Sequence, residues 1–439
     1  MQSIMAITRK KAFWLLDSLK GSHVKNAYKQ LKLVDELDSD SRTLKIHQQS
    51  QIIELLGHAI STTEFYRNIR STELNAFPVI NKNIIRDNQE DFLSNRFSKS
   101  DLITMETSGS TGTPFTCFQD LGKKRRVNAE VIYFSEKAGY SVGNNLIFLR
   151  AITKESQKSK IRQWIQNESL VDISNLDDSR ILGVLEEISK VSRFGSVMLA
   201  YASTYDAMKD FFTRHGIERA KECNIKGIIS SSEMLFDKTR LAISEAFNCP
   251  CFSRYSNQEN GVIGQDETEN NIFLLNEAHY FVEILKIDDD EPAKEGEVGR
   301  IVITDLYNKA MPMIRYDTGD IGSIRYKNSG RKQKKTIANF GGRKVDIVYD
   351  AMGNRLSPHI ITNNFWSFQE IKQYQFIQED MSKYTIKINV DSNFSRVKEL
   401  RAVLGKLLGP KAEIEIELVN EIPVLESGKR KYIVNKIPR

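Results

Sequence analysis

The sequence is short of the residues that build metal and redox centres. Its 439 positions hold four cysteines and six histidines. Cys249 and Cys251 form the one close cysteine pair, and Cys117 and Cys223 stand apart. That spacing fits neither a zinc knuckle nor a CxxC redox pair, and reduced thiols in a cytoplasmic protein are expected. The histidines are scattered without an HExxH, so no structural metal is assigned. No apolar run approaches a membrane-spanning length, so no integral membrane segment is expected. Ala12-Phe13-Trp14-Leu15-Leu16, after Arg9-Lys10-Lys11, is too short for a signal-peptide core and ends at Asp17. It reads as a first amphipathic helix packed on the body, with contact to a membrane surface as the less favoured reading. Neither a Walker A loop nor a GxGxxG occurs, which weighs against kinase and dinucleotide-binding chemistry.

The remaining composition is that of a globular protein, with 40% hydrophobic and 27% charged residues. The length is enough for two or three packed units. The net charge, 63 − 57 = +6, is mild for this length. It suits small anionic substrates and does not call for nucleic acid.

Residues 1–75 read as helical, with Leu44, Gln48, Ile52, Leu55, Leu56 and Ala59 on one face. Between 100 and 310, apolar runs at 146–149, 197–200 and 225–229 alternate with helical patterns at 124–138, 180–193 and 236–247. This alternation predicts an α/β domain with a mixed, largely parallel sheet flanked by helices. Asp288 to Pro292 reads as a solvated turn before a strand at 298–306, and Arg331 to Lys335 as a hairpin tip. The last hundred residues change pattern. A strand at 384–390, a helical stripe from Val397 to Leu407 stopped by Gly409-Pro410, and a strand at 412–418 that alternates apolar residues with Glu413, Glu415 and Glu417 predict a compact β-β-α-β unit, a small α+β domain. The expected division is 1–340 and 341–439.

One segment is rich in phosphate-binding chemistry. Thr107, Ser108, Gly109, Ser110, Thr111 and Gly112, followed by Thr113-Pro114, combine hydroxyl donors with glycines that let backbone N–H groups approach an anion. Taken alone it reads equally well as a solvated turn. Five later segments stand in a fixed order: Ser230-Ser231-Ser232-Glu233; Tyr255-Ser256-Asn257-Gln258-Glu259; Arg315-Tyr316-Asp317-Thr318-Gly319-Asp320; Gly341-Gly342-Arg343; and Ser427-Gly428-Lys429. Each taken singly has an ordinary reading as a loop start, a surface carboxylate or a tail residue.

Together, over nearly the whole chain, they resemble the adenylate-forming superfamily, and within it the phenylacetate-CoA ligase-like branch and its CapK-type capsular-polysaccharide proteins. Phe65-Tyr66-Arg67 and Phe77-Pro78-Val79-Ile80-Asn81-Lys82 resemble that branch's N-terminal region. The resemblance implies ATP-dependent activation of a small-molecule carboxylic acid as an acyl-adenylate, with ATP and Mg²⁺ as cofactors. The acyl group then passes to CoA, or to an amine on a sugar or amino acid. It implies that residues 107–113 hold the β,γ-phosphates and that Glu259 binds Mg²⁺. Asp320 would bind the ribose, Arg343 would meet ribose or phosphate, and Ser232, Glu233, Tyr255 and Ser256 would line the adenine and acyl pockets. Lys429 would neutralise the reacting anions, carried by a mobile C-terminal domain that hinges near residue 341. The resemblance also implies a place in surface-polysaccharide synthesis, as a monomer or homodimer.

Three departures qualify the pattern. Thr113 stands where many relatives have lysine, Asn257-Gln258 precedes the glutamate where the superfamily usually has Gly-x-Thr/Ser-Glu, and Val345 stands where an Asp or Lys is often found at the hinge. They motivate an alternative, a non-catalytic nucleotide-binding scaffold. Tyr133, Phe134, Tyr201 and Tyr205 are candidates for the acid pocket, with core packing favoured for most. His279 is expected to be a satisfied core histidine.

Overall fold

The structure is a computed structural model of the whole chain. It describes residues 4–107, 115–150, 152, 158–173, 176–267, 271–330, 332–343, 348–356, 361, 364–365, 368, 370–390, 394–423 and 431–437, with backbone only at 107, 342, 343 and 355. Ten helices precede residue 250 among the described residues: α1 Ile4–Leu19, α2 His23–Asp35, α3 Arg42–Thr62, α4 Lys82–Asp87, α5 Leu121–Lys137, α6 Lys160–Gln166, α7 Asp178–Val191, α8 Ala202–His215, α9 Glu218–Lys221 and α10 Asp237–Phe247. Local chemistry sets their starts. The Asp120 carboxylate accepts from Lys123 N at 2.9 Å, and Asp177 accepts from Arg180 N at 2.8 Å, each satisfying an orphan donor of a first turn. For α2 the cap comes from the preceding helix, because Asp17 accepts from Val24 N and Lys25 N.

A hairpin, β1 Ile103–Thr107 and β2 Phe115–Gln119, precedes the main sheet. The main sheet contains β3 Asn145–Arg150, β4 Glu168–Asp172, β5 Ser196–Tyr201, β6 Ile225–Ser231, β7 Cys251–Asn257, β8 Gly261–Gln265, β9 Phe273–Leu275, β10 Tyr280–Leu285, β11 Gly299–Asp305, β12 Tyr316–Ser329 and β13 Lys332–Arg343. Their order is β10-β11-β12-β13-β9-β8-β7-β6-β5-β3-β4. The run β4-β3-β5-β6-β7 is parallel, and the pairing becomes antiparallel where β7 meets β8. Ile147, Met198 and Ile228 of the parallel strands pack with Ile188, Tyr205, Phe211 and Ile243 of α7, α8 and α10 in one apolar cluster. Tyr133, Phe134 and Tyr205 are core residues, while Tyr201 is half-buried at the end of β5.

The chain divides into two compact units, residues 1–318 with 323–338, and residues 319–322 with 339–439. The second contains a four-stranded sheet of Ile371–Gln378, Lys383–Val390, Glu413–Leu418 and Ile433–Asn435, with the helix Val397–Leu408 burying Leu400, Leu404 and Leu408. This contains the expected β-β-α-β order, with the strand Ile433–Asn435 added to it.

The basic run after residue 330 corrects one expectation. The run does begin at the tip of the β12–β13 hairpin, but Lys332, Lys334 and Lys335 are strand residues of β13, and Lys334 is buried. Lys334 Nζ donates to the Leu37 carbonyl at 2.7 Å and Lys335 Nζ to the Val282 carbonyl at 2.8 Å. Burial lowers the pKa of both amines. They act as tethers between β13, β10 and the end of α2.

Close approach fixes one glycine. A Cβ on Gly227 of β6 would lie 1.8 Å from the Ala138 carbonyl oxygen, a backbone atom at the end of α5. Gly227→Ala is expected to destabilise the protein by about 3 kcal/mol through forced backbone displacement, read as a lower urea midpoint.

Candidate active site

The carboxyl ends of parallel strands leave backbone groups and loop side chains at one edge of a sheet, the usual position for ligands in α/β folds. Here β5, β6 and β7 end in small polar residues. Tyr201 pairs with Ser231 across β5 and β6, and Ser231 Oγ lies 3.2 Å from Ser256 Oγ on β7. Ser232 leaves β6 with φ of 70°, a left-handed conformation unusual for serine that turns the chain sharply. Glu233 follows, and its Oε2 accepts from Ser203 N at 2.8 Å. That places a carboxylate at the N-terminus of α8, whose own cap residue Tyr201 supplies no side-chain bond. Tyr255 is buried beside Phe273, and its hydroxyl donates to Thr318 Oγ1 at 3.4 Å. The turn after β7 is held by Asn257 Oδ1, which accepts from Asn260 N at 2.7 Å.

Glu259 sits on that turn with 2% of its surface exposed. Its Oε1 is 2.7 Å from Lys82 Nζ and accepts from the Tyr316 hydroxyl at 2.9 Å. Lys82 Nζ also lies 5.3 Å from the Phe115 ring centroid, and the Gln119 amide donates to the Glu259 carbonyl at 2.9 Å. Both ends of β2 therefore touch the surroundings of Glu259. The hairpin that carries the hydroxyl-rich segment is anchored beside a buried carboxylate and a lysine. Lys82 starts α4, and its neighbour Ile80 bridges Tyr316 as Asp317 N donates to the Ile80 carbonyl at 2.7 Å. Nothing in the sequence spacing marked Lys82 as a site residue, because it lies far upstream of Glu259.

A buried charged network supports this turn. Lys123 and Glu130 of α5, Asp305 at the end of β11, and His279 are all fully buried. Lys123 Nζ is 2.7 Å from Asp305 Oδ2 and donates to the Tyr280 hydroxyl at 2.9 Å. The Tyr280 hydroxyl in turn donates to the Asn260 carbonyl at 2.7 Å. Glu130 accepts from Val262 N at 2.9 Å and from His279 Nδ1 at 2.7 Å. Gly261, with φ of 127°, lies so close that a Cβ would meet Glu130 Oε2 at 2.3 Å. The residues that follow Glu259 are thus tied to α5, Val262 directly and Asn260 through Tyr280 and Lys123. His279 is the satisfied core histidine expected from the sequence.

Asp320 is a half-buried residue of β12 and belongs to the second compact unit, as does Arg343 at the end of β13. Thr107 ends β1. The side chains of Thr107 and Arg343, the whole of Ser108, Gly109, Ser110, Thr111, Gly112 and Thr113, and Val345 and Lys429 lie outside the described residues.

Residues 348–436 match the family described as the CapK C-terminal domain. The chain is 22% identical to Protein CapK of Staphylococcus aureus over 459 aligned residues, covering 99% of this chain and 97% of that protein. The chain is CapK-like along nearly its whole length. Phenylacetate-coenzyme A ligase of Aromatoleum evansii is 25% identical over 177 residues, a match to 37% of the CapK-like chain and 40% of that enzyme. In fold, the CapK-like chain is similar to a 2-hydroxyisobutyryl-CoA ligase solved in a postadenylation state with R3-HIB-AMP. The TM-score is 0.69 at 13% identity, covering 89% of each chain.

The donor set of the CapK-like site can be tested against Mg²⁺. Among the described residues no group of three or more metal-ligating side chains occurs. Mg²⁺ is commonly held by one or two carboxylates together with substrate phosphates and water, so Glu259 alone fits an ion that arrives with a nucleotide. It does not fit a resident ion, because Lys82 already neutralises the carboxylate.

Two consequences are measurable. Burial pushes the His279 pKa down to about 4, against the pull of Glu130. An unfolded histidine titrates near 6.5, so the unfolded chain takes up this proton first as pH falls. Stability from this residue is complete above pH ~6.5 and declines toward pH ~4, by the order of 3 kcal/mol. Urea midpoints across that window should show a steeper fall for the native chain than for His279→Gln. Lys82→Met should cost about 2 kcal/mol by leaving Glu259 buried without its cation. Adding Glu259→Gln should recover most of the loss in a double-mutant cycle.

Proposed function

We propose that this chain activates a small carboxylic acid with ATP. A carboxylate oxygen attacks the α-phosphorus, the bond to the bridging oxygen breaks, and pyrophosphate leaves with its electron pair. The observation that carries this reading is the buried Glu259–Lys82 pair, set beside both ends of the strand that follows the hydroxyl-rich segment. Two anions must meet in such a reaction, so fixed charges and donors are its main requirement. Lys82 supplies a positive charge within reach of Glu259, and the hydroxyls of Ser231 and Ser256 supply donors at the ends of β6 and β7.

The likeness to CapK and, over part of the chain, to phenylacetate-CoA ligases supports the further roles. Thr107 to Gly112 would cradle the β,γ-phosphates, Asp320 would accept from the ribose hydroxyls, and Arg343 would contact ribose or phosphate. Ser232, Tyr255 and Ser256 would border the adenine and acyl pockets. Glu233 would keep the end of β6 in place through its bond to α8. Mg²⁺, arriving with ATP at Glu259, would neutralise phosphate charge. Lys429 would stabilise the reacting anions, with residues 1–340 as the adenylation domain and 341–439 as a small domain that turns near residue 341. The acyl group would then pass to CoA, or to an amine or thiol acceptor. The similarity to CapK supports a place in surface-polysaccharide synthesis.

The test is acid-dependent ATP–pyrophosphate exchange with pooled aromatic acids, short acyl acids and amino acids. Exchange that needs Mg²⁺ and falls about a hundredfold or more in Lys429→Ala is the expected result. ATP binding without exchange from any pool would favour the scaffold reading instead.

A further inference from the structure

The first helix is turned the unexpected way round. Ile4, Thr8, Ala12, Leu15 and Leu19 follow at helical spacing along α1, flanked by Met5 and Leu16, and all seven face solvent. Leu19 is 75% exposed, Met5 62%, Leu15 61% and Leu16 56%. A helix that only covers a core turns its apolar stripe inward. Here the inward side is narrow. Ala6 and Asp17 are buried, Phe13 and Trp14 are half-buried against the cluster joining α2 and α5, and Asp17 is used to cap α2. The outward side is mainly apolar, with Lys11 at its edge, so α1 packs on the body through one side and leaves its wider apolar stripe in solvent.

The neighbouring helix repeats the pattern. On α6, Ile161, Trp164 and Ile165 are each about two-thirds or more exposed. Arg9 of α1 lies 5.2 Å from the Trp164 ring centroid, and Met5, Arg9, Trp164 and Phe194 border one surface groove. Phe194 is 71% exposed. The exposed charges on the two helices have one sign, and Glu168, the acid that borders the groove, is paired with Lys158. From Ile4 to Lys20 the chain carries Arg9, Lys10, Lys11 and Lys20 against Asp17 alone, and that acid points inward. α6 carries Lys160 and Arg162 and no acid.

We propose that α1 and α6 form a docking surface for an anionic lipid bilayer, with Leu15, Leu16, Leu19, Ile161 and Trp164 entering the interfacial layer and the lysines and arginines meeting lipid phosphates. An exposed apolar stripe edged by basic residues has the chemistry of an interfacial helix. A second copy of this chain is a poorer occupant. A two-fold contact through this patch would set its basic residues against one another without acids to meet them.

The experiment is co-sedimentation of the full chain with vesicles of phosphatidylcholine alone, or of phosphatidylcholine and phosphatidylglycerol in equal parts. Binding to the anionic vesicles that weakens with salt, with a blue shift of tryptophan emission that is lost in Trp164→Phe, is the expected result. Leu15→Gln with Leu19→Gln should weaken partitioning about tenfold. Lys11→Gln should weaken it about fivefold. These positions are exposed, so circular dichroism and the thermal midpoint should match the native chain and separate lost docking from lost folding. Three outcomes overturn the proposal: no sedimentation with anionic vesicles, equal binding by the leucine double variant, or a native dimer that the double variant dissolves.

Discussion

The charged network buried between α5 and the β8–β11 region is the constraint on which the candidate site depends. Lys123, Glu130, Asp305, His279 and Tyr280 share a volume closed to water. Each is tolerable there only because the others satisfy it. The arrangement couples strands that are distant in sequence to one helix. Through the Asn260 carbonyl and the Val262 amide, it fixes the backbone on which Glu259 stands. An apolar core could hold α5 against the sheet as firmly. It could not set the direction of a turn through individual hydrogen bonds.

Above this network the site is built by pairs rather than by clusters. Lys82 and Tyr316 meet on the Glu259 carboxylate, Ser231 meets Ser256, and Glu233 meets the Ser203 amide in the first turn of α8. Each pair joins segments that end different strands or helices, so their geometry is a property of the sheet order. The reversal from parallel to antiparallel pairing at β7 and β8 places the Glu259 turn there, between the parallel half of the sheet and the strand that returns beside it. An enzyme that must bring a nucleotide to a carboxylate benefits from such a junction, where strand ends and a turn converge.

Part of this was legible in the sequence. The alternation of apolar runs with helical stripes marked the α/β core, because period is a local property that burial on one or both faces imposes directly. The order of the motifs marked the likeness to CapK, and the Gly-Pro stop and alternating glutamates marked the small domain. The basic run at 332–335 misled, because a lysine buried against carbonyl oxygens has the same letter as one in solvent. Its partners at Leu37 and Val282 are not neighbours in sequence.

What the sequence determined by itself was therefore the class of the fold, the places of the strands and helices, and the chemical types gathered along the chain. Those follow from local periodicity and from residue chemistry. The tertiary structure decided that Lys82 is the partner of Glu259, that Glu233 caps α8, that His279 is neutral in a sealed network, and that the apolar side of α1 looks outward. Each of these depends on which segments fold back beside which others. No local pattern encodes that, because the contacts form only when the sheet order is complete.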